Sequence, residues 1–218
     1  MRTKKKLQVI SHKSQVHKLL LLLCPCALLL LSSGCIRHAA STPASKEVSK
    51  NLAAIKSVCL VELENRTAYP PVSEDVTEQL YQALQKKQRF TLSLLKDSDP
   101  AWATLEVKPD QPYTLEQLLQ ARKLLGTDAI LTGMITSYSP YPHMAMGLKL
   151  KLIDLRTGQS VWAIEQMWDS ADKNTQERLK KYFEQKLRSD YSAIGEKVAN
   201  MSSINFIRFI TYEVIETM

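Results

Sequence analysis

The sequence predicts an α/β fold: a mixed-sheet α/β sandwich in the order β-α-β-α-β-β-β, followed by C-terminal helices. Three observations carry that expectation. Short β-branched apolar runs alternate with stretches of three-and-four apolar spacing through the first half of the chain. Period-two alternation takes over between Asp128 and Asp169, broken only by two turn-rich segments. Beyond Asp169 the spacing is helical. Right-handed crossovers make the first two units parallel, and the short turns make the last three strands an antiparallel meander.

Each element has its own signature. Residues 55–63 are apolar and β-branched, which suits a central strand, and Glu64 to Pro71 end it with turn chemistry. Ser73 is expected to cap a helix reaching Lys87, with Val76, Leu80, Ala83 and Leu84 on one face. Residues 89–95 alternate as a second strand. The connection over 96–112 is long, and its Trp102, Leu105 and Val107 are expected to pack. Thr114 and Gln117 form a capping box, Leu115, Leu118, Leu119 and Leu125 the apolar face, and Gly126 the stop. Residues 129–138 are a strand and 139–143 a Pro-rich turn. Met144, Met146, Leu148, Leu150 and Leu152 alternate with Lys149 and Lys151, as in a strand with one solvated side. Residues 154–158 read as a hairpin loop, and the returning strand puts Trp162, Ile164 and Trp168 on one face. Leu179, Tyr182, Phe183 and Leu187 mark the inner side of a charged helix. Tyr191, Ile194, Val198 and Met201 continue the spacing. Ser203 is expected to cap a last helix with Phe206, Phe209, Ile210 and Val214 inward.

The first 34 residues are of another kind. Arg2, Lys4, Lys5, Lys6, Lys13 and Lys18 precede a 13-residue apolar run, 19–31, with no acidic residue. A spanning helix needs about 20 apolar residues, whereas a signal-peptide core needs about 7–15 behind a positive tip. Ser32-Ser33-Gly34-Cys35 resembles the lipobox of bacterial lipoproteins, although Ser32 stands where that pattern favours Leu. The resemblance implies cleavage between Gly34 and Cys35 and lipid on Cys35. The alternatives are an uncleaved anchor or plain secretion. Residues 35–51 are rich in Ala, Ser, Thr and Lys and read as a flexible tether, leaving 52–218 as a single domain.

The formal charge of +7 is mostly a property of the leader. Without residues 1–34 the chain has 23 basic and 22 acidic residues, which gives little support to a nucleic-acid partner. Cys24 and Cys26 leave with the leader and Cys35 takes lipid. Only Cys59 remains, in an apolar run, where it is expected to be buried. One thiol forms neither an intrachain disulfide nor a cysteine zinc site.

Several segments resemble a periplasmic domain shared by the curli-secretion lipoprotein, the amino-terminal domain of the TolB translocation protein and lipoprotein activators of penicillin-binding proteins. They are residues 55–65, the Gln88-Arg89-Phe90 helix end, the run from Leu125-Gly126-Thr127-Asp128 to Gly133, and the run from Leu150 to Trp162 through Asp154-Leu155-Arg156-Thr157-Gly158. The resemblance implies a fold and an envelope role, and no reaction; Ile36, standing after the lipidated cysteine where enteric-type retention in the inner membrane favours Asp, leans the expected location to the outer membrane, facing the periplasm. The chain departs from the curli protein in lacking membrane hairpins, because the loops 139–143 and 154–158 are too short.

No catalytic, cofactor or metal site is expected. His38 and His143 have no ligand partner at helical spacing, and there is neither a phosphate-binding glycine loop nor a G-x-S-x-G elbow. Asp128, Asp154, Asp169 and Asp172 lie near strand ends, where capping explains them better than acid–base pairing. The candidates for partner contact are Tyr138 and Tyr141 of the Pro-rich turn region, for which sheet-edge packing is the alternative, and Asn65 after the first strand. The sequence thus reads as a lipid-anchored module that holds an envelope protein partner. A non-barrel subunit of a curli-type assembly complex, with self-association, is the alternative, and an enzyme the distant one.

Overall fold

The computed structural model describes residues 50–105, 108–186 and 202–218, all within the compact unit Ser41–Met218. Gly34, Cys35, nearly all of the tether, Val107, Leu187, Tyr191, Ile194, Val198 and Met201 lie outside the described residues.

A 3-10 turn, Lys50–Ala54, leads into β1 (Ser57–Val61). The two-residue strand β2 (Glu64–Asn65) continues its line. Helix α1 (Val72–Lys87) crosses to β3 (Thr91–Leu95). The short helix α2 (Pro100–Thr104) and helix α3 (Leu115–Leu125) lead to β4 (Ala129–Ser139). Strands β5 (Ala145–Asp154) and β6 (Ser160–Asp169) complete the meander, and α4 (Lys173–Lys186) and α5 (Ser203–Glu216) follow. The sheet runs β3-β1-β4-β5-β6, with β2 also pairing with β4. The β1 pairings are parallel and the β4-β5-β6 pairings antiparallel, which is the expected mixed sheet.

Alternation divides the strand side chains between two faces. One face carries Val58, Leu60, Leu131, Ile135, Leu148, Leu150, Trp162, Ile164 and Trp168, all buried. Val76, Leu80 and Leu84 of α1 and Phe206, Phe209, Ile210 and Val214 of α5 cover it. The other face has a smaller cluster around Cys59, Val61, Ile130 and Ile153, covered by Leu118 and Ala121 of α3 and partly by Trp102 and Leu105. Burial raises the Cys59 thiol above its ordinary range, with a lesser opposing influence from Ser93.

Three local expectations need correction. Ser73 does not cap α1: Pro71 holds that position, and the Ser73 hydroxyl donates to the Leu63 carbonyl. That bond ties the helix to the strand instead. Ser203 is the first residue of α5; Ser202 precedes it without a side-chain cap. On α3 the capping box and the left-handed Gly126 (φ 64°) are as expected, yet Leu115 and Leu119 are exposed. The small cluster beneath accommodates Leu118 and Ala121, with Leu125 partly buried against it.

Candidate partner-docking edge

The site is built from the loop after β2 and the turn after β4, at the same end of the sheet. The Asn65 carboxamide organises the first. Its Oδ1 accepts from the Thr67 N–H (2.9 Å) and hydroxyl (2.8 Å), and its Nδ2 donates to the Tyr69 carbonyl (2.8 Å). This is the local side-chain turn that Asn favours. The Arg66 N–H donates to the Ile135 carbonyl, which fastens the loop to β4. Tyr69 is thereby set edge-on against Tyr138, with ring centroids 5.3 Å apart and planes at 88°.

In the second segment, Pro140 and Pro142 flank Tyr141, and the Ser139 hydroxyl donates to the Tyr141 carbonyl (3.0 Å). Tyr141 is 83 % exposed, the highest value among the exposed large apolar side chains. The structure therefore assigns different work to the three sequence candidates. Tyr141 projects. Tyr138 is half-buried and packs against the main core, supporting Tyr69. Asn65 spends its amide on the loop. Tyr69, 43 % exposed, is the aromatic of this edge that sequence reading did not single out. Its signal was the aromatic before Pro70-Pro71. His143 is exposed in the same turn.

A charged strap adjoins this edge on the less-covered face. Asp110 meets Arg66 (2.9 Å) and Lys149 (3.5 Å); Arg66 also meets Glu64 (2.9 Å), and Lys149 meets Glu165 (3.6 Å). Lys151 Nζ donates to the carbonyl of buried Pro109 (3.0 Å). The lysine side of β5 is thus held under a loop and only partly solvated. The Tyr113 hydroxyl donates to the Lys108 carbonyl; burial, with Asp110 nearby, pushes its pKa up to about 12.

The two glycine-containing motifs do structural work at the opposite end of the sheet. Asp128 Oδ2 accepts from the N–H groups of Lys56 (3.1 Å) and Ser57 (3.2 Å). Those bonds, the first most of all, hold its carboxyl below the usual range against desolvation. Asp154 is buried and accepts from the Arg156 N–H, Nε and Nη2. Burial is the largest single influence and opposes ionisation, yet the Arg156 contacts together outweigh it and lower the pKa. Gly158 (φ 72°) closes that loop. Asp169 accepts from the Ala171 N–H, and Asp172 from the N–H and hydroxyl of Thr175 at the start of α4. Asp154, Asp169 and Asp172 are thus engaged in turns and a cap, as expected, whereas Asp128 ties the start of β4 to the start of β1 across the sheet. Among the described residues, no three of His, Cys, Asp and Glu gather as a metal would require, and no helix is long and apolar enough to cross a membrane.

Fold and edge together define a class: an α/β sandwich that presents an aromatic edge at one end of its sheet and builds its other end from carboxylate-held turns. The chain belongs to the family described as peptidoglycan-synthase activator LpoB, whose model matches residues 31–167. That membership makes it a non-enzymatic lipoprotein of the outer membrane, facing the periplasm. Of the three likenesses read from the sequence, the one to lipoprotein activators is the one the family match supports. No curated protein matches the chain.

Among solved structures, the PelC dodecamer from Paraburkholderia phytofirmans is similar in fold, with a TM-score of 0.51 at 12 % identity, over 82 % of this chain and 98 % of that one. The LpoB C-terminal domain from Salmonella enterica matches at 23 % identity with a TM-score of 0.37, over 52 % of this chain and 82 % of that one. TolB from Acinetobacter baumannii matches at 16 % identity with a TM-score of 0.30, over 57 % and 24 %.

Proposed function

We propose that this chain activates a peptidoglycan synthase by docking its Tyr69–Tyr138–Tyr141 edge on a periplasmic domain of that enzyme. The family's description as a synthase activator supports the partner. The single structural observation that carries the choice of surface is Tyr141, 83 % exposed on a turn braced by two prolines and a hydroxyl bond. An aromatic ring held in one place loses little freedom on binding, which is why such residues anchor interfaces. Cys35, freed by cleavage after Gly34, is the lipid attachment in this reading, and residues 52–218 are the domain it carries.

The test is binding and turnover with a purified synthase from the same organism. The wild-type chain should raise the rate of glycan polymerisation. Tyr141→Ala should weaken binding about tenfold or more while leaving the thermal transition unchanged. Full stimulation by Tyr141→Ala would remove this surface from the interface. Absence of stimulation by the wild type would remove the activator reading itself.

Self-association is the second reading, because PelC, which shares the fold, is a dodecamer. A single monomeric mass in detergent would dismiss it.

A further inference from the structure

We infer that α3 is the surface on which two copies of this chain pair, antiparallel, about a two-fold axis passing between Leu119 and Gln120. The inference rests on the self-association reading above and gives it a surface. On α3, Leu118 and Ala121 face the sheet, with Leu125 partly buried beside them. The opposite side of the helix carries Glu116, Leu119, Gln120 and Lys123, all exposed, and Leu115 and Leu124 flank it. Leu115 is 63 % exposed, Leu119 51 % and Leu124 45 %. Among the described residues, no other helix exposes leucines in this way.

The charges on this face select a second copy as its occupant. Acid near the start of a helix and base near its end are common, because both suit the helix dipole, so that pattern alone selects nothing. In α1 such charges are satisfied within the chain: Glu74 meets Lys96 (2.9 Å) and Lys87 meets Glu216 (2.8 Å). In α3, Glu116 and Lys123 form no ion pair among the described residues. They stand two turns apart on the side away from the sheet. A two-fold axis midway between 119 and 120 sets Glu116 of each copy opposite Lys123 of the other, since an isologous contact is made twice. The same axis brings the two Leu119 side chains together at its centre and lays Leu115 along the aliphatic stem of Lys123 of the second copy. One operation thus matches acid to base and apolar to apolar. A phospholipid surface would suit Lys123 but set Glu116 against the headgroup phosphates. The helix has 11 residues and is therefore about 16 Å long, too short to bury the roughly 800 Å² per partner of a standard interface, so the pair should dissociate on dilution.

The experiment is oxidative crosslinking of the mature chain in detergent. Gln120→Cys places a thiol beside the axis and leaves the leucines intact, and Lys86→Cys on α1 is the control; both positions are exposed. Native Cys59 is buried, and the chain without either substitution gives the background. Disulfide dimer at 120 should exceed that at 86 several-fold and fall on dilution. Glu116→Lys should lower it about tenfold by setting lysines against each other, and adding Lys123→Glu should restore it. Both exchanged charges oppose the helix dipole, so an effect on the helix alone would be worst in the double variant.

Equal crosslinking at 120 and 86 in a chain that is oligomeric in detergent would overturn this surface and leave self-association standing. A chain that is monomeric at every concentration and gives no crosslink at 120 would overturn both. A crosslink that Glu116→Lys leaves undiminished, or that the second exchange fails to restore, would overturn the charge pairing and leave the leucines to another protein or to lipid.

Discussion

The two faces of the sheet are finished in different ways. One is closed by two long helices over interlocking aromatic and aliphatic side chains, with Trp162, Trp168, Phe206 and Phe209 fully buried. Some of its polar groups are paired across large sequence separations. Trp168 Nε1 donates to Glu213 (2.7 Å), and Arg178 meets the same carboxylate (2.6 Å). The other face is covered by one short helix, α3, and by a strap held with exposed ion pairs around Asp110. The first face is where stability resides. The second has weak, solvent-screened fastenings and exposed leucines, and it adjoins the aromatic edge proposed for the partner. The family match ends at residue 167, before α4 and α5 begin, so much of the closed face is built from sequence beyond the shared module.

This contrast orders the expected effects of mutation. Trp168→Ala, on the closed face, removes a fully buried side chain and one of the two donors to the Glu213 carboxylate. A loss of about 3–5 kcal/mol is expected, measured by urea denaturation. Gly133→Ala should come next. A Cβ there meets the Lys149 carbonyl oxygen at 2.3 Å and the Leu150 Cα at 2.9 Å, both backbone atoms, so β4 and β5 must separate. The cost is about 1–3 kcal/mol. A Gly133→Ala protein as stable as the wild type would show that the strand contact is looser than described.

Acid should act first on the end of the sheet that the carboxylates hold. Asp128 and Asp154 have lowered pKa values in the folded state. Their stabilisation is therefore complete above the unfolded carboxyl value, about 3.9, and is lost as pH falls through the lower folded values. Glu213 has the opposite sign. Burial raises its pKa, only partly offset by Trp168 and Arg178, so its contribution is fully present below the unfolded value and is lost as pH rises through the folded one. Asp128→Asn should flatten the acid limb of the stability profile. An unchanged limb would mean that the two N–H bonds to Asp128 do not survive in solution. Smallest of all should be Asp110→Asn on the strap. Its effect on the thermal transition should be slight and should vanish in high salt, because the pairs it breaks are exposed. A large, salt-independent loss would move the strap into the stable part of the molecule.

How far the sequence reveals this depends on whether an interaction is local. Period-two spacing placed Ile164, Trp162 and Trp168 together, and all three are buried on one face. The Thr114–Gln117 capping box and the glycine stop at 126 are local, and both formed as read. The leucines of α3 were legible as an apolar set. Which of them would be buried depended on the width of the cluster beneath, which no helical spacing encodes. Glu213 lies 35 residues from Arg178 and 45 from Trp168, and only the folded sheet brings them together. Of the candidate edge, the turn with Tyr141 was visible as proline and aromatic composition. Tyr69 carried only the weak signal of an aromatic before two prolines, because its placement comes from edge-on packing against Tyr138, 69 positions later in the chain.

The proposed division of labour between the faces and the aromatic edge can be settled by photo-crosslinking in the intact envelope. A crosslinking amino acid is placed at Tyr141 in one strain and at Arg208, on the exposed side of α5, in another. The edge at Tyr141 should trap a peptidoglycan synthase, and Arg208 should trap none. Capture of the synthase from Arg208 with none from Tyr141 would contradict this account and place the partner on the closed face.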